Sequence, residues 1–126
     1  GRYPKIQRRW RPPAWRWGHW AGWAAERLAR LVLVVKGYRL LRVNSHGRAA
    51  EVDILAQHQR ILCIIEVKYR QRWAEVAYAV SLAQRQRQQR QAQLWLRRYP
   101  QAVGVRLEQF WVVPRWPFWH HLVSTL

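Results

Sequence analysis

Two apolar stretches decide the fold of this protein, and they lie within residues 49–69, AAEVDILAQHQRILCIIEVKY. Residues 49–57 and 61–69 each have the length of a β-strand, and the polar residues 58–60 separate them. So short a connection predicts that the two strands pair as antiparallel neighbours. Apart from a few charges both strands are apolar on both faces, which predicts a sheet covered by helices.

The acidic residues are concentrated in these strands. Of only six Asp and Glu residues in the chain, Glu51, Asp53 and Glu66 lie here. Because side chains alternate along a strand, Glu51 and Asp53 share a face, as do Glu66 and Lys68. In an antiparallel hairpin Asp53 and Glu66 can therefore face each other near one end of the sheet, with Lys68 beside them.

This pattern matches the needs of metal-assisted phosphodiester hydrolysis. A buried carboxylate costs several kcal/mol unless a cation or hydrogen bonds compensate. Mg²⁺ or Mn²⁺ held by Asp53 and Glu66, with the carbonyl of Val67 as a further ligand, would provide that compensation. Lys68 would then position or deprotonate the attacking water, or neutralise the phosphorane. The alternative is structural, with Glu66 and Lys68 forming a salt bridge and the other acids pairing with arginines.

The charge balance predicts an acidic polymer as partner. The chain carries 23 Lys and Arg against six acids, a formal net charge of +17. A phosphate backbone releases condensed counterions to such a surface, so DNA is the expected partner. A membrane is not the expected partner, and a membrane-spanning helix is not expected because apolar runs such as Leu31–Val35 are far shorter than the roughly 20 residues that such a helix requires. We also expect no signal peptide, and the single Cys63, read as a buried apolar thiol, fits a cytoplasmic setting.

The chain divides into three parts. Residues 1–17 are a basic, Trp-rich segment with three prolines, predicted as an extended arm that contacts nucleic acid or an anionic membrane, or folds back onto the domain. Residues 18–113 form the predicted domain, and residues 114–126 an aromatic tail. Within the domain we expect a helix over 18–36 ending at Gly37, strands over 38–44 and 103–113, and a second helix over 74–98.

The second predicted helix is basic. Its middle, residues 84–93, is almost wholly Gln and Arg. No acid is interspersed, so the charges repel one another unless phosphates neutralise them. We therefore expect Arg85, Arg87 and Arg90, together with Arg70, to contact nucleic acid, the alternative being a solvated face. Glu75 is expected in the first turn of this helix, where it favours the helix dipole, while His120 and His121 are expected on the surface.

Several segments resemble the YraN-like family of uncharacterised bacterial proteins. Residues 50–56 resemble the signature G-E-I-D-L-I-A, and residues 62–70 resemble L-V-F-V-E-V-K-x-R. Upstream, residues 22–29 resemble G-x-x-G-E-x-x-A and residues 37–41 resemble G-Y-x-I-L. The resemblance extends over residues 22–99 with order and spacing kept, although Gln84 stands where the family usually has Lys.

The family is similar to archaeal Holliday-junction resolvases of the restriction-endonuclease-like, PD-(D/E)xK superfamily. The resemblance implies an α/β fold with a mixed central sheet flanked by helices. It also implies Asp53 and Glu66 as metal ligands, Lys68 as the catalytic lysine and Glu26 as an acid that reaches the same site from a helix. Glu51 matches a family position as a supporting residue.

The expected function is thus a Mg²⁺- or Mn²⁺-dependent endonuclease acting on DNA, including branched DNA, without a tightly bound small-molecule cofactor. A homodimer would provide two sites for cutting two strands. Two alternatives stay open. One is a nucleic-acid-binding protein that keeps the fold without cleaving, and the other is a peripheral membrane or assembly protein that uses its Trp/Arg-rich ends.

Overall fold

A computed structural model describes residues 13–45, 52–76 and 82–125. Residues 1–12 of the predicted arm, and Glu51, lie outside these ranges. The elements in chain order are α1 (Pro13–Val35), β1 (Arg39–Ser45), β2 (Val52–His58), β3 (Ile61–Tyr69), a 3₁₀ helix (Trp73–Glu75), α2 (Leu82–Arg98), β4 (Gly104–Val112) and β5 (Trp119–Thr125). Neither α-helix, as far as its residues are described, combines the length and hydrophobicity that crossing a bilayer requires.

The five strands form one mixed sheet in the order β1-β2-β3-β4-β5. Strands β3 and β4 are parallel, with α2 in the connection between them, and the other three pairs are antiparallel. The predicted mixed α/β sheet is confirmed. A parallel pair needs a crossover, so this pairing places α2 against the sheet.

The hairpin between β2 and β3 fixes the register of the acidic strands. Its two turn residues, Gln59 and Arg60, have φ angles of 52° and 67°. Two consecutive positive φ angles are typical of a type I′ turn, whose twist matches that of the flanking strands. In the resulting register His58 pairs with Ile61 next to the turn, and Ile54 pairs with Ile65 further along the strands.

Helix α1 ends just before Gly37, as predicted from the sequence. Gly37 has a φ of 96°, which L side chains rarely adopt. Its amide donates to the carbonyl of Val34, and the amide of Tyr38 donates to that of Leu33. These two bonds form a Schellman motif, which satisfies the last carbonyls of the helix and turns the chain into β1.

Each face of the sheet has its own core. On one face Ala25, Ala29 and Leu33 of α1 pack against Ile54 and Ile65, together with other buried residues. On the opposite face α2 packs Ala92 and Trp95 against Leu55, Ile64 and Leu107. The adjacent strand residues 54 and 55, and likewise 64 and 65, belong to opposite cores because strand side chains alternate.

Three predicted boundaries differ from the structure. Helix α1 begins at Pro13, so residues 13–17 of the predicted arm are helical, and proline is well tolerated in a first helical turn. The region predicted as one helix over 74–98 contains α2 from Leu82, preceded by the 3₁₀ helix that holds Glu75. Within the predicted tail, residues 119–125 form β5, which pairs along β4, and Trp119 stacks on Phe110 with centroids 5.4 Å apart.

Candidate functional site

Asp53 and Glu66 lie on the face of the sheet that α2 covers. Ile54 and Ile65 are paired and point toward α1, so the residues preceding and following them, Asp53 and Glu66, point the other way. One Asp53 carboxylate oxygen, Oδ2, accepts a hydrogen bond from the backbone amide of Val67 at 2.9 Å. The Asp53 side chain is thus attached to the strand that carries Glu66 and Lys68.

Glu66 has a neighbour on each side. Its Oε1 accepts a hydrogen bond from Nε2 of Gln88 on α2 at 3.4 Å, and its Oε2 lies 3.6 Å from Nζ of Lys68. The side chains of Glu66 and Lys68 are 28% and 23% exposed, so water and a phosphate can reach both. Gln88 itself is buried. Sequence reasoning did not identify Gln88, because nothing in the Gln/Arg run distinguishes it from its neighbours.

A buried tryptophan lies under the cations of the site. The parallel register places Trp111 of β4 beside Lys68. The Lys68 ammonium nitrogen lies 5.5 Å from the centre of the Trp111 ring, and the Arg70 guanidinium carbon lies 5.2 Å from it. The indole Nε1 donates to Gln109 Oε1 at 3.1 Å, which fixes the ring. Cation–π attraction therefore restricts where Lys68 and Arg70 can lie.

The donor set suits a hard divalent cation. Two carboxylates on adjoining strands, partly open to water, match the preference of Mg²⁺ for one or two protein oxygens with several waters retained. The residues that the structure describes contain no group of three or more His, Cys, Asp or Glu arranged to hold a metal. The fit therefore rests on two carboxylates.

Glu26 is not brought to this pair. It lies on α1, whose residues Ala25 and Ala29 pack against the opposite face of the sheet. One Glu26 oxygen is 3.9 Å from a guanidinium nitrogen of Arg30, one turn along the helix. The structure thus groups Asp53, Glu66 and Lys68 without Glu26.

The predicted nucleic-acid contacts occupy two places. Arg85, Arg87 and Arg90 are exposed on α2, where an open groove of about 720 Å³ includes Arg90 and Arg97. Gln88, on the inward side of the same helix, bonds Glu66, so the basic helix is fixed to the candidate site. Arg70 is instead half-buried beside Trp111, and its Nη1 donates to the carbonyl of Tyr69 at 2.8 Å.

A second polar cluster, on the α1 face, was missed from the sequence. At its centre the Glu108 side chain is fully buried and accepts from the Tyr38 hydroxyl at 3.0 Å, Arg106 Nε at 2.7 Å and His121 Nε2 at 2.5 Å. Lys36 Nζ lies 2.8 Å from His121 Nδ1. Because an ammonium only donates, Nδ1 accepts, and Nε2 carries the proton donated to Glu108.

The surroundings of Glu108 keep it ionised. Burial alone would raise the pKa of Glu108, but hydrogen bonds from His121 and Arg106 hold that pKa below its ordinary value. Burial and the nearby Glu108 charge raise the pKa of the Cys63 thiol to about 12, in agreement with an inert buried thiol. The predicted surface position of His121 is wrong, since its side chain is only 3% exposed, while His120 is exposed.

Comparison with known proteins gives matches in both sequence and structure. Residues 25–113 match the uncharacterised protein family UPF0102. A UPF0102 protein of Methylorubrum extorquens (strain PA1) is 38% identical over 102 residues, covering 79% of this chain and 80% of the relative. A UPF0102 protein of Nitrobacter winogradskyi is 37% identical over 97 residues, covering 75% and 82%.

Among solved structures, the chain is similar to Hjc, a Holliday junction resolvase of Archaeoglobus fulgidus. The TM-score is 0.51 with 22% sequence identity, over 77% of this chain and 71% of Hjc. At that identity the similarity shows a shared fold. The restriction-endonuclease-like architecture expected from the sequence is confirmed.

Proposed function

Since this chain belongs to the UPF0102 family and has a nuclease-like fold, we propose that it is a Mg²⁺- or Mn²⁺-dependent endonuclease that hydrolyses DNA phosphodiester bonds, including those of branched DNA. The observation that carries the proposal is the placement of Asp53 and Glu66 on one face of adjoining strands, with Lys68 Nζ 3.6 Å from Glu66. Fold alone does not establish chemistry, so this local arrangement is the argument.

The proposed roles follow from the contacts. Asp53 and Glu66 would hold the metal, which would supply Lewis-acid polarisation of the phosphate and would make a water more nucleophilic. The Lys68 ammonium would donate hydrogen bonds to the attacking water or to phosphate oxygens that gain negative charge. Gln88 would orient Glu66, and Trp111 would hold Lys68 in place. From the family resemblance alone, Glu51 is retained as a proposed supporting acid, and Glu26 as an acid that would act on the site through water, since α1 does not bring it beside the pair.

The proposed DNA-binding surface consists of exposed Arg85, Arg87 and Arg90 on α2, with Arg70 nearer to the site. Guanidinium groups pair with phosphates in a planar, bidentate geometry. Cutting two strands would require two such surfaces, which is the reason for also proposing a homodimer. Light scattering of the protein with and without junction DNA measures that assembly.

The function is tested by incubating the protein with labelled four-way junction, duplex and single-stranded DNA in Mg²⁺, Mn²⁺ or EDTA. We expect cleavage in either metal and none in EDTA. Tight, salt-sensitive binding without cleavage under any metal would contradict the proposed activity and favour the non-catalytic binding protein. Liposome binding that disappears when residues 1–17 are removed, with no DNA binding, would favour the membrane alternative.

Replacing Gln88 by leucine should weaken metal binding while the protein stays folded. The change removes the amide that bonds Glu66 Oε1 but keeps a buried side chain of similar size. Loss of such an outer hydrogen bond costs about 10- to 100-fold in metal affinity or activity. Calorimetric titration with Mn²⁺ measures the affinity, with exposed Gln86→Leu as the matched control. Equal affinities in the two variants would show that Gln88 does not orient a ligand.

Removing arginines from α2 should flatten the salt dependence of DNA binding. Each phosphate contact contributes about 0.9 to the slope of log K against log salt concentration for duplex DNA. The double variant Arg87→Gln/Arg90→Gln removes two contacts, so the magnitude of the slope should decrease by about 1.8. Fluorescence anisotropy over a salt series measures it. The control is Arg60→Gln, at an exposed arginine in the turn that precedes β3, at the end of the strand away from the site. If Arg60→Gln lowers the slope by as much as the double variant does, DNA binding depends on the total charge of the protein rather than on contacts made by α2.

A further inference from the structure

An apolar cavity of about 840 Å³ lies between α1 and the β4–β5 connection. We call it the aromatic pocket; one side is formed by Tyr69, Trp116, Phe118 and Trp119, and the helix side by Ala21 and Ala24. Its volume falls within the range of about 300–1,000 Å³ that is usual for small-molecule sites. Nothing in the proposed cleavage chemistry uses this cavity.

The pocket lies at the same end of the sheet as the candidate active site. Tyr69 directly follows Lys68 on β3, and Val112, which also lines the pocket, directly follows Trp111 on β4. Because strand side chains alternate, the pocket and Lys68 lie on opposite faces at the ends of the same two strands. A DNA strand that leaves the active site around this end of the sheet would reach the pocket.

Backbone hydrogen bonds and ring contacts both support the aromatic wall, since Trp119 stacks on Phe110 and Trp116 meets Phe118 edge-on. The amide of Val113 donates to the carbonyl of Phe118 at 2.9 Å, and the amide of Phe118 donates to that of Arg115 at 2.7 Å. The Trp73 indole donates to the carbonyls of Arg115 and Trp116, each at 3.1 Å. Yet the Trp116 side chain is 81% exposed. The hydrogen bonds fix the backbone that carries Trp116, and the edge-on contact with Phe118, with centroids 6.0 Å apart, restrains its exposed ring, so a flat ligand can stack on it with less loss of conformational entropy.

The charges around the pocket indicate which flat ligand fits. The segments that flank it, residues 71–76 and 113–118, carry Arg72 and Arg115 against one acid, Glu75, whereas Arg70 lies over Trp111 on the opposite face. The Glu75 Oε1 already accepts from the amides of Gln71 and Arg72. An apolar aromatic surface bordered by arginines complements an aromatic group on a polyanion, as in single-stranded nucleic acid.

We propose that the aromatic pocket binds an unpaired nucleobase of the DNA substrate, stacked on Trp116, while Arg72 and Arg115 contact the adjoining phosphates. The inference rests on the proposed function in taking DNA as the ligand, and it adds a preference for DNA with unpaired bases. Binding needs neither metal nor cleavage, so the two proposals can fail separately.

The test measures binding in EDTA with the whole 126-residue chain. Fluorescence anisotropy compares a duplex with the same duplex carrying an unpaired flap, for wild type, Trp116→Ala and Trp23→Ala. Trp23 is an exposed tryptophan on α1 that does not line the pocket, so it is the matched control. Replacing an aromatic side chain that stacks on a base by alanine lowers the affinity by about 10-fold. We expect that loss for Trp116→Ala on flap DNA alone, with duplex binding within about twofold.

Two further measurements separate stacking from indirect effects. The variant Ala24→Phe fills the helix side of the pocket and keeps Trp116, and it should lose the same flap preference. A 2-aminopurine in the flap should be quenched on binding wild type and Trp23→Ala, but not on binding Trp116→Ala. The inference is overturned if Trp116→Ala and Trp23→Ala behave alike, or if duplex and flap affinities fall equally. It is also overturned if Trp116→Ala loses binding to anionic phosphatidylserine vesicles and keeps flap binding, because the pocket would then serve a membrane surface.

Discussion

Changing Lys68 to alanine should lower the rate of metal-dependent DNA cleavage by about 10²- to 10³-fold, the usual loss when a donor to developing negative charge is removed, and changing Asp53 to asparagine should lower it at least as far. Asp53→Asn removes the negative charge but keeps an oxygen that can accept from the Val67 amide, so the strand contact is preserved. The expected loss therefore reports on the charge rather than on folding. Gel-based cleavage rates over a range of Mg²⁺ and Mn²⁺ concentrations measure it.

The two variants should fail in different ways. Asp53→Asn loses a metal ligand, so its Mn²⁺ affinity should fall, whereas Lys68→Ala should bind Mn²⁺ as wild type does and still cleave far more slowly. Lys36→Ala is the matched control, since this lysine contacts His121 on the opposite face of the sheet. If Lys68→Ala cleaves at the wild-type rate, the Glu66–Lys68 contact is a salt bridge of structural value only, as the simpler sequence interpretation allowed.

Replacing Glu108 by leucine should destabilise the protein by about 3–5 kcal/mol, the usual cost of leaving a buried charge without its partner. The change leaves Arg106, the Tyr38 hydroxyl and His121 without the carboxylate that accepts from each of them. Urea unfolding followed by circular dichroism measures the loss. Gln86→Leu, at an exposed position of α2, is the control and should change stability by less than about 0.5 kcal/mol.

A double variant identifies the cause. Arg106→Leu/Glu108→Leu removes the opposite charge as well, so it should be more stable than Glu108→Leu alone. If the double variant is less stable than the single one by the full cost of the arginine change, the loss reflects packing rather than an unpaired charge.

The same cluster predicts acid sensitivity. Hydrogen bonds from His121 and Arg106 hold the pKa of Glu108 below its ordinary value, despite the opposing effect of burial. A carboxylate with a depressed folded-state pKa contributes stability that is complete above its unfolded pKa and is lost as pH falls toward the folded value. The unfolding free energy should therefore decrease below about pH 4.5, and less so in Glu108→Leu, where the group is absent. The groups in contact with this carboxylate are those of Tyr38, Arg106, Cys63 and His121. If the unfolding free energy of wild type and of Glu108→Leu decreases equally at low pH, the acid sensitivity comes from groups other than Glu108.

Sequence alone was sufficient where the interactions are local. Residues 61–69 form β3 as predicted, the connection at residues 58–60 produced the expected antiparallel pair, and Gly37 marks the end of α1. The placement of Asp53, Glu66 and Lys68 on one face follows from strand alternation and a two-residue turn, both of which a short segment specifies by itself.

Tertiary structure decided what depends on distant pairings. Gln88 reaches Glu66 only because α2 packs on that face, and Trp111 lies under Lys68 only because β4 joins β3 in parallel. Tyr38 and His121 meet at Glu108 across separations of 70 and 13 residues. Local periodicity carries no information about such registers, since they are set by how two helices and a crossover bury the sheet.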